Sequence, residues 1–414
     1  MKHPRGRRPR GVSIRQTPLA AAPPEPDLRR AERLLLQLLA IPGVSCQERR
    51  VSEFIVRQLR RAGIPEDAIE RDAAHRKSPF GGEIGNLACR LPGTRAGVRR
   101  MLIAHLDTVP LCAGARPVVE GNWIRPADRG TALGADDRAG TAAILTALLE
   151  IVRRRLPHPP LTFLWTVQEE LGMYGARHVR LGMLGRPRLA FNFDGSSPEE
   201  VTLGATGGYR MSIQVRGLAS HAGVAPEKGI SAITIAALAI ARLHREGWLG
   251  RVEKSGGQGT ANVGVIRGGE ATNVVTPEVE VRTEARSHDP HFRRQIATAI
   301  EQAFREAAGS VRSVQGACGE VCVRGQLDYE AFKLPDDSPS VLAAEAAVRS
   351  LGSEPVRGIS NGGLDANWLT ARTVPTVTLG AGMTGAHTLE ERLDRARFRQ
   401  ACRIALRLAT ATEG

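Results

Sequence analysis

The chain has 414 residues, 42% hydrophobic and 24% charged, which is typical of a globular protein but longer than one hydrophobic core usually supports. No apolar run reaches the roughly 18 residues that a membrane-spanning helix needs, so no such helix is predicted. The net charge is +14, but only five of the 57 basic residues are lysine and no basic stripe alternates with aromatic residues, which argues against a nucleic-acid partner.

Residues 1–27 are predicted to form a disordered basic extension, because they are rich in proline and arginine. This segment lacks the apolar stretch of a secretory signal. The six cysteines are scattered, and the pair Cys318 and Cys322 has no second pair to complete a zinc knuckle. We therefore expect free thiols in a reducing, cytoplasmic environment.

Strands and helices alternate over residues 28–205. Two apolar stripes predict two helices within residues 28–63, which Pro42-Gly43 separates. The further predicted elements are strands at 87–91, 101–105, 161–167 and 189–193 and a helix at 138–152. This alternation predicts an α/β domain with a central, mostly parallel sheet flanked by helices.

Residues 206–325 have a different pattern. The predicted elements are strand 210–216, helix 230–244, strands 261–266 and 278–285, and helix 292–308. This order predicts an inserted α+β unit with a ferredoxin-like antiparallel sheet. The alternating pattern returns over 326–414, with helices at 340–351, 365–370 and 394–409 and a strand at 376–379. The first domain is therefore predicted to be discontinuous.

Five segments carry side chains that can bind a metal ion. His105 and Asp107 end a predicted strand and lie two residues apart, so both point to one face, as a ligand and its orienting acid would. The other candidates are Asp136 before a helix, Glu169 and Glu170 after a strand, Asp194 after a strand, and His387 in a glycine-rich loop. Taken singly, each also fits a structural role, such as a helix cap or a solvated acid.

The joint placement of these segments is more informative than any one of them. Most follow predicted strands, and the carboxyl edge of an open α/β sheet is where ligands bind. Two histidines and three carboxylates suit zinc, and also cobalt or manganese. Five ligands are too many for one catalytic tetrahedral zinc, but they fit two metals with a bridging carboxylate. The additional glutamate, Glu169, is then a candidate general base.

The segments Ala104–Asp107, Gly134–Asp137 and Glu169–Gly172, with the loops of Asp194 and His387, resemble the metal motifs of the di-zinc metallopeptidase superfamily. This superfamily includes peptidase T, bacterial glutamate carboxypeptidase, aminoacylase and acetylornithine deacetylase. Outside the metal motifs, the peptidase T-like branch is the most similar, in segments 220–233, 271–275, 284–287 and 362–367.

The resemblance implies two zinc ions, with cobalt or manganese as substitutes. Asp136 would bridge the two ions; His105 and Asp194 would complete one site, and Glu170 and His387 the other. Glu169 would be the general base and then the proton donor, while Asp107 would orient the ligands from behind. The peptide bond between Asp136 and Asp137 would be cis.

The resemblance also implies roles for residues outside the metal motifs. His221 would stabilise the oxyanion in the active site of a partner subunit, within a homodimer formed through the dimerisation and lid domain, residues 206–325. Arg286 would bind a substrate carboxylate, and Asn273, Gly362 and Gly363 would contact the substrate. From the residues alone, His221 fits a surface loop equally well, and Arg286 fits a salt bridge at the end of a strand.

The activity that the resemblance implies is metal-dependent exopeptidase hydrolysis of short peptides, as in a tripeptide aminopeptidase. A carboxypeptidase or an N-acyl amino acid amidohydrolase with the same chemistry remains open, because an arginine that binds a carboxylate serves all three. A non-catalytic scaffold or nucleic-acid-binding protein would fit the basic charge but has no need of Glu169. We expect a cytoplasmic homodimer with no membrane partner.

Overall fold

The computed structural model describes residues 24–411. The helices are α1 (Leu28–Leu39), α2 (Arg49–Arg61), α3 (Ala135–Arg154), α4 (Tyr174–His178), α5 (Ala232–Arg245), α6 (Pro290–Ser310), α7 (Pro339–Arg349), α8 (Asp365–Ala371) and α9 (Arg395–Thr410). The strands of the first half are β1 (Ile69–Arg71), β2 (Leu87–Leu91), β3 (Arg100–His105), β4 (Pro117–Glu120), β5 (Trp123–Pro126), β6 (Leu161–Thr166), β7 (Leu189–Phe193) and β8 (Glu200–Ala205). The later strands are β9 (Gly207–Arg216), β10 (Gly250–Lys254), β11 (Gly257–Arg267), β12 (Glu278–Ser287), β13 (Glu320–Tyr329), β14 (Phe332–Lys333), β15 (Val356–Ser360), β16 (Thr376–Leu379), β17 (Met383–Thr384) and β18 (Arg392–Asp394).

A nine-stranded sheet forms the centre of the molecule, in the order β1-β2-β6-β3-β7-β16-β8-β14, and β15 also pairs with β8. Its four middle strands, β6, β3, β7 and β16, run parallel. Successive residues of β3 face opposite layers: Leu102 and Ala104 pack with α1, α3, α7 and α9, whereas Met101 and Ile103 pack with α4 and α8. The predicted α/β fold with a mostly parallel, helix-flanked sheet is confirmed.

A second sheet has five antiparallel strands in the order β10-β11-β12-β9-β13. Helices α5 and α6 pack on one of its faces and enclose a separate hydrophobic core. The predicted unit lacked β10 and β13, because these edge strands are largely exposed and carry little apolar periodicity. β13 ends at Tyr329, four residues past the predicted limit at residue 325. The limits of this unit as a domain remain a prediction.

A third, four-stranded sheet, β17-β18-β5-β4, was not predicted. Its strands are two to four residues long, too short to show a period-2 pattern. The hairpin between β17 and β18 carries the loop that contains His387, so this small sheet fixes the position of the loop.

The first described residues lie along α9. Glu25 forms ion pairs with Arg403 and Arg407, and the carbonyl oxygen of Pro24 accepts a hydrogen bond from Arg407. Residues 24–27 therefore do not belong to a disordered extension as predicted, while the rest of that predicted segment lies outside the described residues. The six cysteines are free thiols, as predicted. No helix within residues 24–411 is both long and apolar enough to cross a membrane.

Candidate metal centre

Three parallel strands end at the candidate centre. His105 is the last residue of β3 and pairs with Thr166, the last residue of β6. Glu169 and Glu170 follow β6 after a short turn, and Asp194 follows β7 directly. Because the carboxyl ends of parallel strands meet at one edge of a sheet, the fold collects these side chains in one place.

The start of α3 supplies Asp136 to the same edge. Asp136 and Asp137 have non-helical backbone angles, and the bond between them is cis, as the resemblance implied. A Cβ atom at Gly140 would overlap the carbonyl oxygen of Phe193. Glycine at this position therefore lets α3 approach the end of β7, which brings Asp136 near the strand ends.

The five predicted ligands converge in the structure. The two carboxylate oxygens of Asp136 face different histidines: Oδ1 lies 3.1 Å from Nε2 of His105, and Oδ2 lies 3.3 Å from Nε2 of His387. Nε2 of His387 lies 2.8 Å from a carboxylate oxygen of Glu170. Asp194 also has a ligand atom within 4.8 Å of His105. His105 is 2% exposed and His387 is 51% exposed, so the centre opens to solvent on the side of His387.

These distances fit a metal site. A tetrahedral zinc with bonds of about 2.0–2.1 Å holds its ligand atoms roughly 3.3 Å apart. The separations of 3.1 and 3.3 Å about Asp136 match that value without any rearrangement. The donor set of imidazole nitrogens and carboxylate oxygens is also the one that zinc, cobalt and manganese accept.

Asp137 is a further acid in this cluster. Its ligand atoms lie within 4.8 Å of those of His105 and Asp194. However, its carboxylate already accepts hydrogen bonds from the backbone N–H groups of His105, at 3.1 Å, and Gly140, at 2.9 Å. We therefore regard Asp137 as a support for the backbone and Asp136 as the better ligand.

Asp107 contacts both His105 and the turn that carries Glu169 and Glu170. Its carbonyl oxygen lies 3.0 Å from Nδ1 of His105, which leaves Nε2 directed at Asp136. Its carboxylate accepts hydrogen bonds from the backbone N–H groups of Glu169 and Glu170, at 3.0 and 3.2 Å. This is the arrangement expected of an acid that orients both an imidazole ligand and the neighbouring carboxylates.

The electrostatics of the centre favour a bound cation. Burial raises the pKa of Asp194 to about 8, with a contribution from the charge of Asp136. Burial likewise raises the pKa of Glu169 well above its usual value. Hydrogen bonds with Asp136 and Glu170 raise the pKa of His387 to about 10. Since buried acids in close contact disfavour one another's charge, a divalent cation among them would stabilise their ionised forms.

Residues near the centre that the sequence analysis missed include Glu391, Asp365 and Tyr329. Glu391 accepts hydrogen bonds from the backbone of Gly134 and Asp136, at 2.7 and 3.0 Å. Asp365 is buried and accepts a short hydrogen bond from Thr166. Tyr329 is buried where the two larger sheets meet, and its phenol lies within electrostatic range of Arg286 and Glu169. Only their tertiary contacts identify these residues, because none lies in a metal-like motif.

The structure does not bring His221 and Asn273 to the metal ligands. They belong to adjacent exposed loops: the backbone N–H of Ala222 donates to the carbonyl oxygen of Asn273 at 2.9 Å, and His221 forms a β-bridge with Val274. Within residues 24–411, neither side chain forms a hydrogen bond or ion pair with one of the five predicted ligands. A role for His221 and Asn273 in this centre stays a prediction.

Arg286 forms a bidentate ion pair with Glu284, with both contacts at 3.1 Å, which is the salt bridge that the sequence left open. It also lines a cleft of about 340 Å³ between β11 and the loop before Gly362. Gly363 packs against Tyr329 and Met173, and a Cβ atom there would overlap the Tyr329 ring. The loop of Gly362 and Gly363 thus lies between the cleft and the turn of Glu169.

Comparisons with known proteins agree with this geometry. The sequence profile of peptidase family M20/M25/M40 matches residues 101–411. The uncharacterized protein YqjE of Bacillus subtilis is 33% identical over 86% of this chain and 91% of its own length. A tripeptidase from Staphylococcus aureus has a similar structure, with a TM-score of 0.83 and 29% identity over 94% of this chain and 99% of that chain. The aminopeptidase PepT from Bacillus cereus has a TM-score of 0.79 and 29% identity over 93% and 98% of the two chains.

Proposed function

Because the chain belongs to peptidase family M20/M25/M40, we propose that it is a metal-dependent exopeptidase that hydrolyses short peptides, in the manner of a tripeptide aminopeptidase. The observation that carries the proposal is the position of Asp136 between His105 and His387, with Glu169 next to the ligand Glu170. The similarity to a tripeptidase along 94% of this chain supports a short peptide as the substrate.

In this proposal, two divalent metal ions bind the five converging side chains. Asp136 would bridge them, with His105 and Asp194 on one side and Glu170 and His387 on the other. Zinc is the proposed metal, and cobalt or manganese would substitute. When bound, such an ion supplies Lewis acidity toward a carbonyl oxygen and lowers the pKa of water.

Glu169 would move the protons of the reaction. It would accept a proton from the attacking water and then donate that proton to the amine that leaves. Burial raises the pKa of Glu169, and the charge of the bound cations would favour its ionised form, which is the form that accepts a proton. The backbone N–H of Glu169 donates a hydrogen bond to Asp107 at 3.0 Å, which fixes the backbone from which the Glu169 side chain extends.

Arg286 and His221 would act on the substrate from the five-stranded sheet. The guanidinium of Arg286 would exchange its contact with Glu284 for the substrate carboxylate, which it can bind bidentately. His221 would donate to the developing oxyanion from a partner subunit, so a homodimer formed through residues 206–325 is part of the proposal. Asn273 and the loop of Gly362 and Gly363 would add polar contacts. Free thiols favour the cytoplasm as the site of action.

The first test is which end of the peptide is cut. The purified chain with zinc or cobalt is expected to release the N-terminal residue from free tripeptides, and mass spectrometry of the products identifies the bond that is broken. A matched tripeptide with an acetylated N-terminus should be inert, because the proposal requires a free amine. Cleavage confined to N-acylated substrates would contradict the aminopeptidase and favour the carboxypeptidase or amidohydrolase.

The second test concerns Arg286. The variant Arg286→Ala is expected to raise KM for a free tripeptide about 10- to 100-fold, because a hydrogen bond to a charged group contributes about 1.5–3 kcal/mol. Arg282→Ala is the matched control: Arg282 lies on the same face of β12, about 13 Å away, and pairs with Glu280 through a single contact of 2.7 Å. Equal KM values for the two variants, as steady-state kinetics would measure them, would remove Arg286 from the substrate site.

A further inference from the structure

Two carboxylates hold three consecutive backbone N–H groups at the turn that carries the proposed base. The carboxylate of Asp107 accepts from Glu169 and Glu170, at 3.0 and 3.2 Å. The carboxylate of Glu48 accepts from Gln168, the residue before them, at 3.1 Å. Gln168 has a φ of 54°, in the left-handed region that costs free energy for a residue other than glycine. The turn therefore needs support from its surroundings.

Glu48 belongs to a short segment that is itself tied to this turn. Its Oε1 also accepts a hydrogen bond from the backbone of Cys46, at 2.9 Å. Ser45 donates to the carboxylate of Asp107 at 2.7 Å, and the backbone N–H of Ser45 donates to the carbonyl oxygen of Thr108 at 3.1 Å. Residues 45–48 thus join the end of β3 to the turn after β6.

The burial of the Glu48 carboxyl group costs free energy. The residue is fully buried, and Oε2 has no hydrogen-bond partner within residues 24–411. An unsatisfied buried polar atom costs about 1–3 kcal/mol. This cost is consistent with a role that depends on the other oxygen, Oε1, which accepts hydrogen bonds from the backbone of Gln168 and Cys46.

We propose that Glu48 is a positioning residue that fixes the turn of Gln168 and so aims Glu169 and Glu170 at the metal centre. The expected effect on catalysis rests on the proposed function, in which Glu169 is the general base. The expected effect on the position of Glu170, a proposed metal ligand, does not rest on it. Glu48 touches neither the metal ligands nor the substrate cleft; it acts through the backbone. A displacement of about 1 Å in a catalytic group can cost about 100-fold in rate, which makes such support consequential.

The chemistry of Glu48 indicates which variant should preserve the effect. Burial, with the added charge of Asp107, raises the pKa of Glu48 to about 8. Glutamine keeps the size of the side chain and an oxygen that accepts from the backbone of Gln168 and Cys46. Alanine removes the acceptor and opens a cavity, whereas methionine fills the space without an acceptor.

The test compares Glu48→Ala, Glu48→Gln and Glu48→Met in the full chain loaded with cobalt. Ala and Met are expected to lower kcat about 10- to 100-fold at little change in KM, and to weaken cobalt binding and shift its visible absorption, as loss of an outer-shell partner does. Gln should restore kcat and the cobalt spectrum to near the wild-type values. If the alanine variant does not fold, the methionine variant takes its place.

Glu345→Ala is the matched control. Glu345, in α7, is also buried, but within residues 24–411 its carboxylate pairs with Arg349 and Arg357 and not with the turn of Gln168. The variant Glu345→Ala should unfold at a lower urea concentration than the wild type, while its kcat and cobalt spectrum stay unchanged. A Glu48→Met variant with an unaltered spectrum and kcat would overturn the inference, as would a glutamine variant as impaired as methionine. If the wild type cleaves no peptide, the proposed function fails, and the cobalt spectra alone still decide the role of Glu48.

Discussion

Glu169→Gln is expected to lower kcat for tripeptide hydrolysis about 10²- to 10⁴-fold, the usual contribution of a positioned acid or base. Glutamine keeps the size of the side chain but neither accepts the proton of the attacking water nor returns it to the leaving amine. Steady-state kinetics on a tripeptide, together with elemental analysis of the protein, provides the measurement. Metal content should stay at the wild-type value, because Glu169 is not one of the five proposed ligands.

The fold around residue 169 should survive this substitution. The contact of Glu169 with Asp107 uses the backbone N–H, which glutamine retains. Glu390→Gln is the control: it removes the same charge from an exposed residue on the loop of His387, and it should leave kcat unchanged. A Glu169→Gln variant that kept more than a tenth of the wild-type kcat with full metal content would assign the proton transfer to another group.

The five candidate ligands could be found from the sequence because their positions follow from the fold. His105, Glu170 and Asp194 come at or just after the ends of parallel strands, and the carboxyl ends of such strands meet. An apolar run followed by an acid or a histidine therefore indicates, from the local sequence alone, a side chain at the end of a strand. Asp136 was found differently, from its place at the start of a predicted helix, which is the long and almost wholly buried α3.

The residues that support these ligands could not be found by the same reasoning. Glu48 stands directly before α2, where an acid is an ordinary helix-start residue. Glu391 stands beside an exposed glutamate in a loop, yet it holds the backbone of Asp136. In both cases the partner is more than 100 residues away in the chain, so no spacing or periodicity marks the contact.

Exposure accounts for some of the missed strands but not for all, since β8 is largely buried and was not predicted either. The predictions succeeded for β3, β6 and β7, which are buried along their whole length. They failed for the edge strands β10 and β13, in which exposed residues predominate. Arg286 shows a different limit: the structure pairs its guanidinium with Glu284, and its contact with a substrate carboxylate stays a prediction. A local sequence pattern therefore predicts where a side chain lies better than it predicts which group the side chain contacts.

Asp136→Ala is expected to weaken both metal sites at once and to lower kcat about 10³-fold or more, since metal ions contribute several kcal/mol to catalysis and 1.36 kcal/mol is a factor of ten. The reason is that its two oxygens face different histidines, at 3.1 and 3.3 Å. His387→Ala should instead weaken one site. Metal stoichiometry after dialysis, measured for both variants, separates the two effects, with Asp128→Ala, in an exposed loop, as the control.

The comparison of these two variants tests the bridge itself. If Asp136→Ala loses only one equivalent of metal, as His387→Ala should, Asp136 belongs to a single site and the other site needs another carboxylate. Asp137 is then the candidate, because its ligand atoms lie within 4.8 Å of those of His105 and Asp194. Each of its oxygens already accepts one backbone hydrogen bond, from His105 or Gly140, so a metal ion there would share a donor oxygen with that hydrogen bond. Loss of both equivalents in Asp136→Ala would instead favour the bridge.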